Sequence, residues 1–290
     1  MMKKLIVIML LLILSVTVAA GAVIIESPWT LTQHFGGGGV GMFYSLVKDD
    51  TLILVDGGYT ANAESVRAVI EENGGYVDYW FLTHYHDDHC DAFNTLWPEY
   101  KDRIGIVYVT PLSWEDFEPH CQEWDSPESF RTFLDQTEGY ENIVPLKRGD
   151  KFEIDGLQVN VFNAWDEEIL KYSTDVANNC SLVFRIDTGR TSVLFLGDMV
   201  AEGLANLILE QFGANQVKAT CIQAAHHGWA PSLISFYEAL EPKEMFVDAA
   251  EYYLTSEEYA NAHGVLVRWC EENSIPMHDY SSVPYSMTMK

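Results

Sequence analysis

Thr83-His84-Tyr85-His86-Asp87-Asp88-His89 places three histidines and two aspartates directly after the apolar run Tyr79-Trp80-Phe81-Leu82. A short apolar run closed by polar residues reads as a buried strand that delivers its last side chains to the rim of a sheet. Imidazoles and carboxylates at this density are costly to bury unless something pairs with them. A lone histidine here would read as a polar turn. With the spacing His-x-His-x-Asp-His, the side chains of His84, His86, Asp88 and His89 can instead converge on a transition metal. The mixed nitrogen and oxygen donors favour zinc and remain compatible with iron or manganese.

Three other segments repeat the pattern of an apolar run that ends in a ligand-type residue. Strand 51–55 runs into Asp56-Gly57-Gly58, Phe195-Leu196-Gly197 into Asp198, and Ile222-Gln223-Ala224-Ala225 into His226-His227-Gly228. Open α/β sheets build their sites at such strand C-termini. Around them the spacing predicts strands over 42–47, 79–82 and 104–110, a helix over 63–73 that stops at Gly74-Gly75, and a helix over 91–97 after the histidine cluster. The second half reads as strands 151–154, 157–162, 181–186 and 191–196. Helix 201–212, strand 218–223, helix 232–240, strand 244–247, helix 256–272 and strand 277–280 follow. Each half is thus a β-ribbon followed by alternating helices and strands, which predicts an α/β fold, an αββα sandwich with the site between its sheets. Residues 111–139, acidic and aromatic with Trp114, Phe117, Trp124, Phe130 and Phe133, read as a helical insertion beside that site. Gly36-Gly37-Gly38-Gly39 is a tight turn and not a phosphate loop, since no Lys-Ser/Thr follows.

The 290 residues carry 17 basic and 43 acidic side chains, a formal charge of −26. Nucleic-acid binding rests on Lys and Arg contacts to phosphate, so this balance argues against polynucleotide partners. Met1-Met2-Lys3-Lys4 followed by uncharged residues 5–25 predicts a signal peptide or an N-terminal membrane anchor over 1–25. The chain is accordingly expected to be extracytoplasmic, with residues 26–290 forming one domain. Cys90, Cys121, Cys180, Cys221 and Cys270 form no Cys-x-x-Cys pair, and their odd number leaves at least one thiol free. Cys90, next to His89, reads as a packing residue rather than a ligand.

From about residue 29 to 288 the chain resembles the metallo-β-lactamase superfamily. The resemblance implies that His84 and His86 hold one metal and Asp88 and His89 a second. Asp198 would bridge the two, and one of His226 and His227 would complete the second site. The other of that pair would be left to contact substrate, and Asp88 could position the attacking water. Asp56 would orient a ligand histidine through its distal N–H. The family's further histidine for the first metal has no counterpart in Val176-Ala177-Asn178-Asn179-Cys180-Ser181-Leu182-Val183. This segment, with Leu-Gly-Asp and His-His-Gly, resembles the branch of DNA-uptake competence hydrolase domains and choline-phosphate esterases, in which Asn178 or Asn179 would approach the site. His263 falls where that branch carries a His-Pro pair, but no proline follows it here.

The implied chemistry is metal-assisted hydrolysis, in which coordination lowers the pKa of a water to about 7. No Gly-x-Ser-x-Gly elbow supports a serine hydrolase. The expected substrate is a small or envelope-derived phosphodiester or related ester. A nuclease on extracellular DNA and a non-catalytic binding protein of the same fold are the alternatives.

Overall fold

The computed structural model describes residues 27–36 and 39–290. In chain order the strands are β1 (Trp29–Gln33), β2 (Phe43–Lys48), β3 (Thr51–Asp56), β4 (Val77–Leu82), β5 (Ile104–Val109) and β6 (Ile143–Pro145). There follow β7 (Lys151–Ile154), β8 (Leu157–Asn163), β9 (Val183–Asp187), β10 (Ser192–Phe195), β11 (Cys221–Gln223), β12 (Glu244–Phe246), β13 (Met277–His278) and β14 (Tyr285–Met289). They form two seven-stranded sheets, ordered β14-β1-β2-β3-β4-β5-β6 and β13-β12-β11-β10-β9-β8-β7. The α/β sandwich read from the sequence is what the chain adopts.

Side chains alternate across a strand, and this alternation divides the core into layers. In β3, Ile53 and Val55 join Tyr44, Phe81, Phe184 and Phe195 between the sheets, while Leu52 and Leu54 turn towards the helices. The rings of Phe81 and Phe184 stack across the sandwich at 4.6 Å. Burying one such side chain stabilises by about 1.5–3 kcal/mol. On the outer face, Val66 and Ile70 of α1 (Ala63–Glu72) and Phe93, Leu96 and Trp97 of α2 (Asp87–Tyr100) cover the first sheet.

Several boundaries move. Helix α2 begins at Asp87, not at residue 91, because Asp87 and Asp88 in its first turn complement the positive end of the helix dipole. The continuous helix read over 256–272 is broken: Glu251–Thr255, the 3-10 turn Glu257–Tyr259 and His263–Glu272 are separate, and Ala262 takes non-helical angles between them. β6 and β14 were not legible locally. β14 exists because its pairing with β1, Trp29 against Met289, covers a sheet edge. In the 111–139 region the helices are α3 (Trp114–Phe117) and α4 (Pro127–Thr137).

The extracytoplasmic, membrane-associated placement is corrected. Among the described residues no helix is long and apolar enough to cross a membrane. The leader or anchor expected over 1–25 lies outside the described residues. All five cysteines are unpaired.

Candidate metal centre

Parallel pairing decides where the ligand-type residues meet. β3 and β4 run parallel, as do β10 and β11, so Asp56, the Thr83 segment, Asp198 and the His226-His227 turn all emerge at strand C-termini. Backbone bonds stitch these exits together: Leu182 N–H donates to Thr83 O at 2.8 Å, His226 N–H to Gly197 O at 2.9 Å and Gly57 N–H to His89 O at 3.0 Å.

Asp88, His89, Asp198 and His227 present donor atoms that all lie within 4.8 Å of one another. His89 Nε2 is 3.3 Å from Asp198 Oδ1, and His227 Nε2 is 3.3 Å from Asp198 Oδ2 and 3.0 Å from Asp88 Oδ2. Of the two consecutive histidines, it is His227 that joins this quartet. His226 stands aside, a third exposed, with Nε2 3.8 Å from Asp198. The backbone makes the division: His226 and His227 both take left-handed angles, φ 51° and 55°. Such angles in non-glycine residues cost of order 1–3 kcal/mol each and persist where the surroundings enforce them.

His84 and His86 form the other half. His84 Nε2 is 3.9 Å from Asp198 Oδ2, and the His84 and His86 ring centroids are 4.8 Å apart. His84 Nε2 and Asp198 Oδ1 are fully buried and make no hydrogen bond, although His89 Nε2 comes near the latter at a poor angle. Buried polar atoms normally have partners, so two orphaned donor atoms facing one locus fit a bound cation.

Behind the quartet, Asp56 is fully buried. It accepts from Thr83 N–H at 2.7 Å, Thr83 Oγ1–H at 2.6 Å and His89 Nδ1–H at 2.7 Å. With Nδ1 carrying the hydrogen, His89 Nε2 is free to face Asp198. Asn179 is brought elsewhere: its Oδ1 accepts from Val200 N–H and Ala201 N–H at 3.1 and 2.9 Å, tying down the loop after Asp198. Asn178 lines the same cleft as His86 and Asp198, and its buried Oδ1 is unpartnered while Nδ2 donates to Asp175. His263 is buried among Trp229, Tyr253 and Tyr259 with both ring nitrogens unpartnered, and burial pushes it down to about 4. Cys90 lies in the apolar core, where burial pushes its thiol up.

One site residue escaped the sequence reading. Asp125, from the connection between α3 and α4, places Oδ1 3.0 Å from His86 Nε2. Nothing local marks it, because it stands 39 residues from its partner in an acidic stretch.

The electrostatics follow from four imidazoles around two carboxylates. Burial works to lower His227, but Asp198 and Asp88 raise it to about 10. Against the same burial, Asp198, Asp88 and Asp56 hold His89 well above its ordinary value. Burial would raise Asp198, yet His227, His89 and His226 hold it well below the carboxylate range. His84 is driven down by burial, with the charge of His89 adding to it.

Gly197 lets Asp198 turn into the site. It has φ +52°, and a Cβ there would meet Ser181 Oγ at 2.8 Å and Thr83 Cβ at 3.0 Å. Gly197→Ala is expected to cost about 2–4 kcal/mol through left-handed strain and overpacking. Chemical denaturation of the metal-free protein measures it, and an unchanged midpoint would show that the loop yields freely.

Residues 36–210 match the family described as the Metallo-beta-lactamase superfamily. A curated relative, the uncharacterized protein YcaI of Escherichia coli (strain K12), is 28% identical over 151 residues, 51% of this chain and 15% of that protein. The chain therefore spans only a small part of that relative. Among solved structures, the metallo-beta-lactamase fold protein YhfI from Bacillus subtilis is similar at TM-score 0.57 and 11% identity, covering 91% of this chain and 100% of that one. CmlA, a diiron beta-hydroxylase from Streptomyces venezuelae, gives 0.54 at 14% identity, covering 91% and 54%. At these identities the structural likeness bears on the fold, while the sequence match extends over more than half of the chain and includes both the histidine cluster and Asp198. The chain belongs to the metallo-beta-lactamase superfamily.

Proposed function

We propose that this metal-dependent hydrolase cleaves a small phosphodiester or a related ester, with zinc as its cation. The observation that carries the reading is the convergence of Asp88, His89, Asp198 and His227 within 4.8 Å, with His84 and His86 beside them. Asp88, His89 and His227 would hold one ion, His84 and His86 the other, and Asp198 would serve both. A bound divalent cation supplies Lewis-acid polarisation of the substrate and a water of pKa about 7. The protein supplies the rest. Asp56 fixes the His89 ring, and Asp88 is placed to orient water beside the quartet. His226, its pKa lowered mainly by burial, offers a ring nitrogen to the substrate or its leaving group.

The walls of the cleft support this substrate class. The cleft over the quartet has a volume of about 690 Å³ and is lined by Tyr59, Trp124, Trp229 and several carboxylates, with no Lys or Arg among its lining residues. A polyanion would find no countercharge there beyond the metals, so a compact substrate with one reacting phosphoester is favoured over nucleic acid. The lack of the family's further histidine near Asn178-Asn179 supports the second reading, a non-catalytic binding protein of the same fold without a productive metal pair.

The test is to measure bound metal in the purified chain and to assay bis-p-nitrophenyl phosphate, nitrocefin and a lactone. Turnover of the phosphodiester is expected, abolished by chelation and in His86→Ala and restored to the wild type by zinc. Two bound ions without turnover of any of the three would favour the binding protein.

A further inference from the structure

We infer that Asp125 is the positioning residue of the His84–His86 half of the metal centre, so that the helical insertion governs whether that half binds a cation. The inference rests on the metal-centre reading above. The Asp125 side chain is fully buried and that of His86 only 11% exposed. Oδ1 stands 3.0 Å from His86 Nε2, while Oδ2 accepts Gln122 N–H at 2.6 Å. Gln122 is itself anchored, donating through Nε2 to His120 O and Thr174 O. The next residue, Ser126, donates to Asp87 Oδ1 at 2.9 Å, pinning the segment to the first turn of α2. The carboxylate is thus held from both sides, as a support for a ligand must be.

The chemistry then assigns the ring. An ionised carboxylate only accepts, so the hydrogen between Asp125 and His86 sits on Nε2. Nδ1 is left as the one lone pair that a neutral His86 can offer to a cation. His84 uses the opposite atom, since Nε2 is its buried, unpartnered nitrogen. Each half of the centre therefore has a carboxylate behind a histidine: Asp56 of β3 behind His89, and Asp125 of the insertion behind His86. In the half that lacks the family's further histidine, this support carries more of the affinity.

The test uses the full chain, stripped of metal and titrated with zinc against a chromophoric chelator, and with cobalt followed by its visible absorption. Asp125→Ala is expected to weaken one of the two sites by about 10- to 100-fold and to leave the other unchanged. Asp125→Asn, a neutral acceptor, is expected to weaken the same site by a smaller factor and carries the test should the alanine variant fail to fold. Adding Asp125→Ala to His86→Ala should change nothing further, because Asp125 acts only through that ring. Wild-type affinity in both single variants, or an equal loss in the His86→Ala background, overturns the inference. Wild-type protein that binds no divalent cation would instead sink the metal-centre reading itself.

Discussion

Asp198→Asn is expected to abolish hydrolysis, lowering kcat/KM by at least about 10³-fold, and to remove high-affinity metal from both halves of the centre. The reason is geometric. One carboxylate stands 3.3 Å from His89, 3.3 Å from His227, 3.8 Å from His226 and 3.9 Å from His84, so among the described residues it is the one side chain that faces every histidine of the two halves except His86. Removing a single electrostatic stabiliser from an active site typically costs about 10²–10³ in rate, and the same change would also remove the carboxylate proposed to serve both ions. Asparagine keeps the shape and loses the charge. In the metal-free protein the buried imidazolium of His227 then loses one of its two carboxylate partners and keeps Asp88 at 3.0 Å, so the destabilisation should fall below the about 3–5 kcal/mol that an uncompensated buried charge costs. Metal analysis, steady-state kinetics and denaturation of the stripped protein read the three effects separately. Retention of two tightly bound ions would show that Asp198 does not serve both.

The second large effect is a pH-dependent exchange of protons for metal. Without metal, His227 titrates near 10, raised from an ordinary 6.5 by Asp198 and Asp88 against the opposing effect of burial. A group whose folded pKa is raised contributes stability that is fully present below the unfolded value and lost as pH rises through the folded one. The stripped protein should therefore lose this contribution between pH 6.5 and about 10. Metal binding needs the neutral ring and must release that proton, so zinc affinity should rise over the same window. Stabilisation by zinc, measured as the difference in Tm between loaded and stripped protein, is expected to grow towards the alkaline end. Calorimetric titration in buffers of different ionisation enthalpy should show proton release on zinc binding at neutral pH. A stabilisation that shrinks as pH rises would contradict the protonation state assigned to His227.

Much of the fold was legible because its signals are local. Apolar runs closed by Gly-Asp, His-His-Gly or the Thr83 cluster need no distant partner to be recognised, and each falls at a strand end in the structure. The first turn of α2 was misplaced because Asp87 and Asp88 look like loop residues until a helix dipole gives them a role. Helix 256–272 was read as continuous because its apolar spacing survives the break at Ala262, which is a matter of backbone angles. β14 carries no strong pattern and is ordered by pairing with β1, from the opposite end of the chain.

By itself the sequence determined the sandwich, the family and the identity of most ligand-type residues, since composition and short-range periodicity specify which groups end up at strand termini. Only the tertiary structure decided which of them touch. It chose His227 over His226 through two adjacent left-handed residues and set Asn179 to holding a loop while Asn178 faces the cleft. It also brought Asp125 across from the connection between α3 and α4 to His86. Those outcomes depend on packing between segments far apart in the chain, and distances of 3 to 4 Å between such segments are properties of the folded core, not of any stretch of residues read alone.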